Sequence, residues 1–197
     1  MATRQRRLDK QTILQAAREV LDNTGLDGFT TRALASHLDV QQPGLYWHFK
    51  TKGDLLAALA SDILVSEHHA SFPEVGESWD AFLLRNARSF RRALLAVRDG
   101  ARLHAEHHIR PPNADAAQQL EGPRDQLSLL ITQGFSEKDA INAMVAIGRY
   151  TVGVVLEEQS QEGNQPGKSE RDQQFEFGLK ALVIGIGTEG MRGSPSE

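Results

Sequence analysis

Apolar residues recur along most of the chain at the spacing of helices, with no sustained alternation of the kind that marks strands. Ile13, Leu14, Ala17, Val20 and Leu21 share one helical face, and Gly25 stands where a left-handed residue ends a helix. Thr30 or Thr31 can cap a short second helix with Ala33, Leu34 and Leu38 on its apolar side. Asp39-Val40-Gln41 then makes a tight connection, and Pro43 falls in the first turn of a third helix, whose inward residues are Leu45 and Phe49. A fourth helix is expected from about Lys52 to His69, with Leu55, Leu56, Leu59, Ile63 and Leu64 as its stripe.

Beyond the breaker-rich stretch Pro73–Ser78 the helical period resumes. Helices are expected from Trp79 to Val97, from Ala101 to about His107 and from Ala114 to Gln133, the last stopped by Gly134 and kinked or interrupted by Pro123. Ser136 with Asp139 three residues on opens a long helix reaching about Gln159. Ser160 to Lys168 is polar and reads as a loop. A last helix, Arg171–Thr188, carries apolar side chains around much of its circumference, which implies burial, in part against a second subunit. The fold class is all-α.

Composition fits this reading. Of 197 residues, 40% are hydrophobic and 24% charged, enough for a core without covalent staples. Cysteine is absent, which excludes a disulfide scaffold, cysteine-ligated zinc and thiol catalysis. The basic start Met1–Arg7 is not followed by an apolar secretory core, and uninterrupted apolar runs such as Ala181–Ile184 are too short for a bilayer. A cytoplasmic protein is expected. No glycine-rich phosphate loop or Ser–His–Asp arrangement supports an enzyme.

The net charge of −4 hides a division. Residues 1–52 hold eight basic and five acidic groups, whereas the rest holds 14 basic and 21 acidic. A basic head on an acidic body restricts contact with a polyanion to the head. Two short helices joined by a tight turn, with a third across them, would form a helix-turn-helix that offers one helix N-terminus to the major groove. Gln42 can pair with adenine, Pro43 and Tyr46 can touch a thymine methyl, Arg32 can fork onto guanine, and Lys52 suits a phosphate. Aromatic clusters such as Tyr46-Trp47-His48 also occur in small helical domains simply as core.

The runs Gly28-Phe29-Thr30-Thr31-Arg32-Ala33-Leu34-Ala35 and Gln42-Pro43-Gly44-Leu45-Tyr46-Trp47-His48-Phe49-Lys50 closely resemble the TetR family. The likeness continues through Gly76-Glu77-Ser78-Trp79, Asn86-Ala87-Arg88-Ser89-Phe90-Arg91, Arg98-Asp99-Gly100-Ala101 and Val155-Leu156-Glu157, where it is to the tetracycline-responsive branch. The resemblance implies an N-terminal three-helix DNA-binding domain, residues 1–52, and a C-terminal helical ligand-binding and dimerisation domain, residues 53–197. It implies a homodimeric repressor on a palindromic operator, released by a small-molecule effector, a tetracycline–magnesium chelate. Carried over residue by residue, Arg32, Gln42, Pro43, Gly44, Tyr46 and Trp47 would read or flank bases, and Thr31, His48 and Lys52 would hold the DNA backbone. His68, Asn86, Phe90, Gln126, Ile141, Met144, Arg110 and Pro111 would contact the effector. His104 would ligate its magnesium, and Glu157 would hold a magnesium-bound water from the other subunit. The long helix Ser136–Gln159 and the last helix would form a four-helix dimer contact.

This chain departs from the family pattern in four places. Gly44 stands where the family's tetracycline-responsive members usually have Thr. The stretch after His104 is two residues longer and lacks a Thr before Arg110. Pro123 enters the following helix, and the segment between Glu157 and Phe177 is short and polar where those relatives carry an extra pocket-covering helix. Two other readings remain at this stage: a repressor sensing a different polycyclic ligand, and a transition-metal sensor using His104, His107 and His108, which recur at helical spacing.

Overall fold

The computed structural model describes residues 8–107, 121–160 and 167–190, and among them it contains nine helices and no strand. Helix α1 (Lys10–Gly28) starts where the Asp9 carboxylate accepts the Thr12 N–H at 2.8 Å. Its path breaks at Gly25, whose φ of 69° lies in the left-handed region. A side chain there would also meet the Asp99 carboxylate at 2.9 Å, so both conformation and space demand glycine. Thr30, not Thr31, caps α2 (Thr31–His37) by accepting the Ala33 N–H at 3.0 Å. Pro43 occupies the first position of α3 (Pro43–Tyr46). Helix α4 (Lys52–Glu67) opens with a reciprocal capping box: Thr51 Oγ1 accepts the Asp54 N–H and the Asp54 carboxylate accepts the Thr51 N–H, both at 3.0 Å.

These four helices close on Ile13, Leu21, Phe29, Leu34, Leu45 and Leu59, all essentially sealed from solvent. Val97 and Leu103 belong to the same cluster, so the apolar core of the head continues into the body along α4. The body comprises α5 (Trp79–Leu95), α6 (Gly100–His107), α7 (Glu121–Thr132), α8 (Glu137–Gln159) and α9 (Lys168–Gly190). Its core gathers Phe82, Leu83, Leu130, Phe135, Ile147 and Phe175. Ser136 caps α8 as expected, accepting the Asp139 N–H at 3.1 Å. Arg91 on α5 fixes the register of three helices. Its guanidinium bonds Glu158 at 2.9 Å and Asp172 at 2.7 Å while lying 4.8 Å from the centre of the Phe175 ring.

Several features differ from the sequence reading. Helix α7, as described, begins at Glu121, which puts Pro123 in its first turn, where the missing N–H has no partner to lose. Residues 114–120 lie outside the described residues. Helix α4 ends at Glu67, with His68 as its C-cap. Helix α9 starts at Lys168 and runs to Gly190, because its Phe175, Leu179 and Val183 stripe packs along its length. Helix α8, finally, is long and apolar enough in length and composition to cross a membrane, a property the short uninterrupted runs conceal. Only 28% of its most apolar window is buried within the chain. One side of α8 fills the body core, while Ile141, Val145 and Leu156 stay exposed. Phe177 and Ile184 of α9 are also exposed, at 79% and 71%.

Candidate functional site

The end of α4 forms one corner of a cavity. Two buried polar residues of α5 hold the chain as it leaves that helix: Asn86 donates to the Ala70 carbonyl at 3.1 Å, and Ser89 Oγ accepts the Ala70 N–H at 3.2 Å. From α7, the Gln126 amide donates to the Ser71 carbonyl at 2.5 Å. Behind these anchors lies a space of about 570 Å³ whose walls include His68, Asn86, Phe90, His104, Gln126 and Met144. Its size suits a multi-ring small molecule. The Phe90 ring sits between two imidazoles, its centre 5.6 Å from that of His68 and 5.0 Å from that of His104. The wall is therefore an aromatic row with ring nitrogens at both ends.

His68 is held neutral at physiological pH. Burial, reinforced by the charges of Arg92, His69 and Arg85, pushes its pKa down to about 4. Its Nδ1 is sealed from solvent with no hydrogen-bond partner among the described residues, while Nε2 lies 3.5 Å from Asn86 Nδ2. A buried polar atom without a partner carries a desolvation cost that a bound polar ligand would relieve.

Not every residue expected in the site belongs to it. Ile141 does not line the cavity; it lies on the exposed side of α8 at 43% exposure, one helical step beyond Met144. Glu157 is exposed on α8 and is not part of the cavity wall within its own chain. Arg110, Pro111 and His108 lie outside the described residues. Among the described residues no group of three metal-binding side chains exists, and His107 instead lies 3.9 Å from Glu106. The sequence reading missed Leu64, Gly148, Arg149, Val152 and Leu156 as cavity residues. Met144, Gly148, Val152 and Leu156 step by four along α8, so the helical period starting from Met144 could have found them.

In the head, Arg32, Pro43, Tyr46 and Trp47 are exposed together, Trp47 at 89%. A large aromatic side chain left in solvent at a helix-turn-helix tip is no core residue, which settles the alternative of a purely structural cluster. The Gln42 amide donates to Thr31 Oγ1 at 2.8 Å and lies 3.3 Å from the Tyr46 hydroxyl, so α2 and α3 present a prearranged polar edge. His48 is half-buried beside it, and Gly44 leaves ordinary contact distance, 3.8 Å, to Leu8 for an added Cβ. Lys52 does more than face outward: Nζ donates to the Phe29 carbonyl at 2.6 Å, tying the start of α4 to the α1–α2 corner.

Head and body are also clamped through α6, a feature no sequence signal marked. The Arg98 N–H donates to Asp22 at 2.8 Å, and Arg102 forms a forked pair with Asp27 at 2.7 and 2.8 Å. Asp99, itself at φ 56°, accepts the Leu26 N–H. His104, in the cavity wall, lies on the same short helix as Arg102.

Comparison with known proteins agrees with this geometry. Residues 13–59 match the model of bacterial regulatory proteins of the tetR family, and residues 72–171 match that of the tetracyclin repressor-like C-terminal domain. The tetracycline repressor protein class A from transposon 1721 of Escherichia coli is 44% identical, over 91% of each chain. A TetR variant from Acinetobacter baumannii AYE in complex with minocycline superposes with a TM-score of 0.85 at 42% identity, covering 93% of this chain and 99% of that one. TetR class A in complex with 5a,6-anhydrotetracycline and magnesium gives a TM-score of 0.77 at 43% identity, covering 92% and 99%. Matched across both halves, with a helix-turn-helix head at one end and a ligand-sized cavity at the other, this chain belongs to the TetR family of DNA-binding transcriptional repressors and is not an enzyme.

Proposed function

We propose that this repressor binds a palindromic operator as a homodimer and leaves it when a tetracycline–magnesium chelate enters the cavity. The observation that carries the reading is the row His68–Phe90–His104 on the cavity wall, whose first member caps the helix that begins at Lys52 in the head. Residues 1–52 read DNA in this scheme, through Arg32, Gln42, Pro43, Tyr46 and Trp47, and residues 53–197 bind effector and partner subunit.

The donor set suits a metal that arrives already chelated. Among the described residues the cavity offers His104 and no carboxylate, too little to bind a hard divalent cation alone. His104 would hold the magnesium, while Glu157 approaches from the partner subunit. The metal joins effector oxygens and protein in one assembly. His68, neutral and with an unpartnered Nδ1, is suited to a polar edge of the effector, Asn86 and Gln126 supply amide donors and acceptors, and Phe90 packs against rings.

Release follows from the two ends of α4. The helix is tied to the head by Lys52 and to α1 by the Arg18–Glu67 pair at 2.7 Å, and its C-cap is a cavity residue. An effector that draws on His68 would turn the helix and alter the separation of the two heads. Each head must reach successive major grooves about 34 Å apart, so a small mismatch loses one half-site. Reversing occupancy from 99:1 to 1:99 requires an effector preference for the released state of about 5.5 kcal/mol. Fluorescence anisotropy of labelled operator, titrated with tetracyclines with and without magnesium, tests the proposal. Release only when both are present is expected; operator retained at saturating chelate would overturn it.

A further inference from the structure

The effector cavity carries a fixed positive charge that the mechanism above does not use. Arg149, on α8 between the wall residues Gly148 and Val152, lines the cavity and is exposed. Arg18, Arg85, Arg88, Arg91 and Arg102 are all engaged with carboxylates, whereas Arg149 has no ion pair or hydrogen bond among the described residues. Among the described residues of its own chain, no acidic side chain lines the cavity with it. Space for a ligand lies beside it: a Cβ built on Gly148 or on Gly153 meets nothing within 4 Å. Across the cavity, burial first and then the charges of Arg92, His69 and Arg85 depress the His68 pKa.

We infer that Arg149 is a specificity-determining residue that pairs with an ionised oxygen on the effector. A guanidinium in a cavity wall, with no carboxylate of its own chain beside it among the described residues, gains from an anionic partner, and its planar fork matches two acceptor oxygens. The ligand class is a planar multi-ring compound bearing an enolate, phenolate, carboxylate or sulfonate. This deepens the effector reading and rests on the cavity assigned there. A fully neutral polycycle would leave the charge buried beneath it without compensation.

Two dyes of the same ring system isolate the charge: anilinonaphthalene sulfonate and its neutral parent, N-phenylnaphthylamine. Each is titrated by fluorescence into the wild-type dimer, Arg149→Met and Arg149→Lys, with His68→Ala as the control that binding is in the cavity. Arg149→Met should weaken the sulfonate about tenfold or more while leaving the neutral dye within about twofold, as expected for loss of a charge-assisted pair. Arg149→Lys should restore part of the difference. Equal effects on both dyes would overturn the inference. A role confined to the α8 subunit contact would instead move the dimer dissociation constant, read by sedimentation, without separating the two dyes, and it too counts against the inference. The same three proteins titrated with tetracycline and magnesium keep the readings apart. Failure of the wild type to bind the chelate sinks the tetracycline assignment, yet the dye ratio still reports on Arg149.

Discussion

The Asp99 carboxylate accepts the Leu26 N–H at 2.7 Å, across the join between the helix-turn-helix head and the body. Leu26 follows the left-handed Gly25, and Asp99 is itself left-handed, so two kinks in distant parts of the chain meet at one bond. Asp99→Ala should therefore cost about 1–3 kcal/mol, the range for removing a charged acceptor from a part-buried N–H. Faster hydrogen exchange at the Leu26 amide and weaker coupling of effector binding to operator release are expected. Unchanged Leu26 protection would show that the bond is not what joins the two parts.

His68 gives the protein a pH signature. Its pKa in the folded state, about 4, lies below the 6.5 of an unperturbed imidazole, so between those values the unfolded chain takes up a proton that the folded chain refuses. Stability from this group is complete above about pH 6.5 and is lost as pH falls toward 4. Urea unfolding at pH 7 and pH 5 should show a smaller pH difference in His68→Phe than in the wild type, and the His68 ring proton in NMR should not titrate near pH 6.5.

In the head, Arg32→Ala should weaken operator binding by about 1–3 kcal/mol and relax one base position. Lys52→Ala should weaken all sequences alike and, because Nζ also bonds the Phe29 carbonyl, should lower stability by about 0.5–1.5 kcal/mol. Gel-shift titration against operator variants, alongside thermal unfolding, separates the two effects. Uniform weakening by Arg32→Ala would mean that the guanidinium holds phosphate rather than a base.

Arg91 and Glu158 form a buried pair, with side chains 13% and 7% exposed. Removing the cation by Arg91→Ala should cost about 3–5 kcal/mol, since Glu158 would keep its charge in a poorly solvated place. Chemical denaturation at fixed protein concentration reads this. A cost below about 1 kcal/mol would indicate that water reaches Glu158 freely.

The exposed apolar residues of α8 and α9 predict the subunit contact. Ile184→Asp places a charge at the centre of that surface and should convert the dimer to monomer in sedimentation, with loss of operator binding. A dimeric Ile184→Asp would move the interface elsewhere.

The pattern of the chain was enough for most of the helices, because local periodicity and caps mark them: Asp9, Thr30 and Ser136 act within three residues of the groups they satisfy. It also placed Gln42–Trp47 on the third helix and its caps, where Trp47 is exposed. Residues brought together from distant parts of the chain were decided by packing alone. The Asp99–Leu26 bond and the Arg102–Asp27 fork join positions more than seventy residues apart. Ile141 and Met144 lie one turn apart on α8, yet Met144 lines the cavity while Ile141 stays exposed. Short-range periodicity fixes which face of a helix is apolar, and only the crossing of helices fixes whether that face meets core, ligand or another subunit.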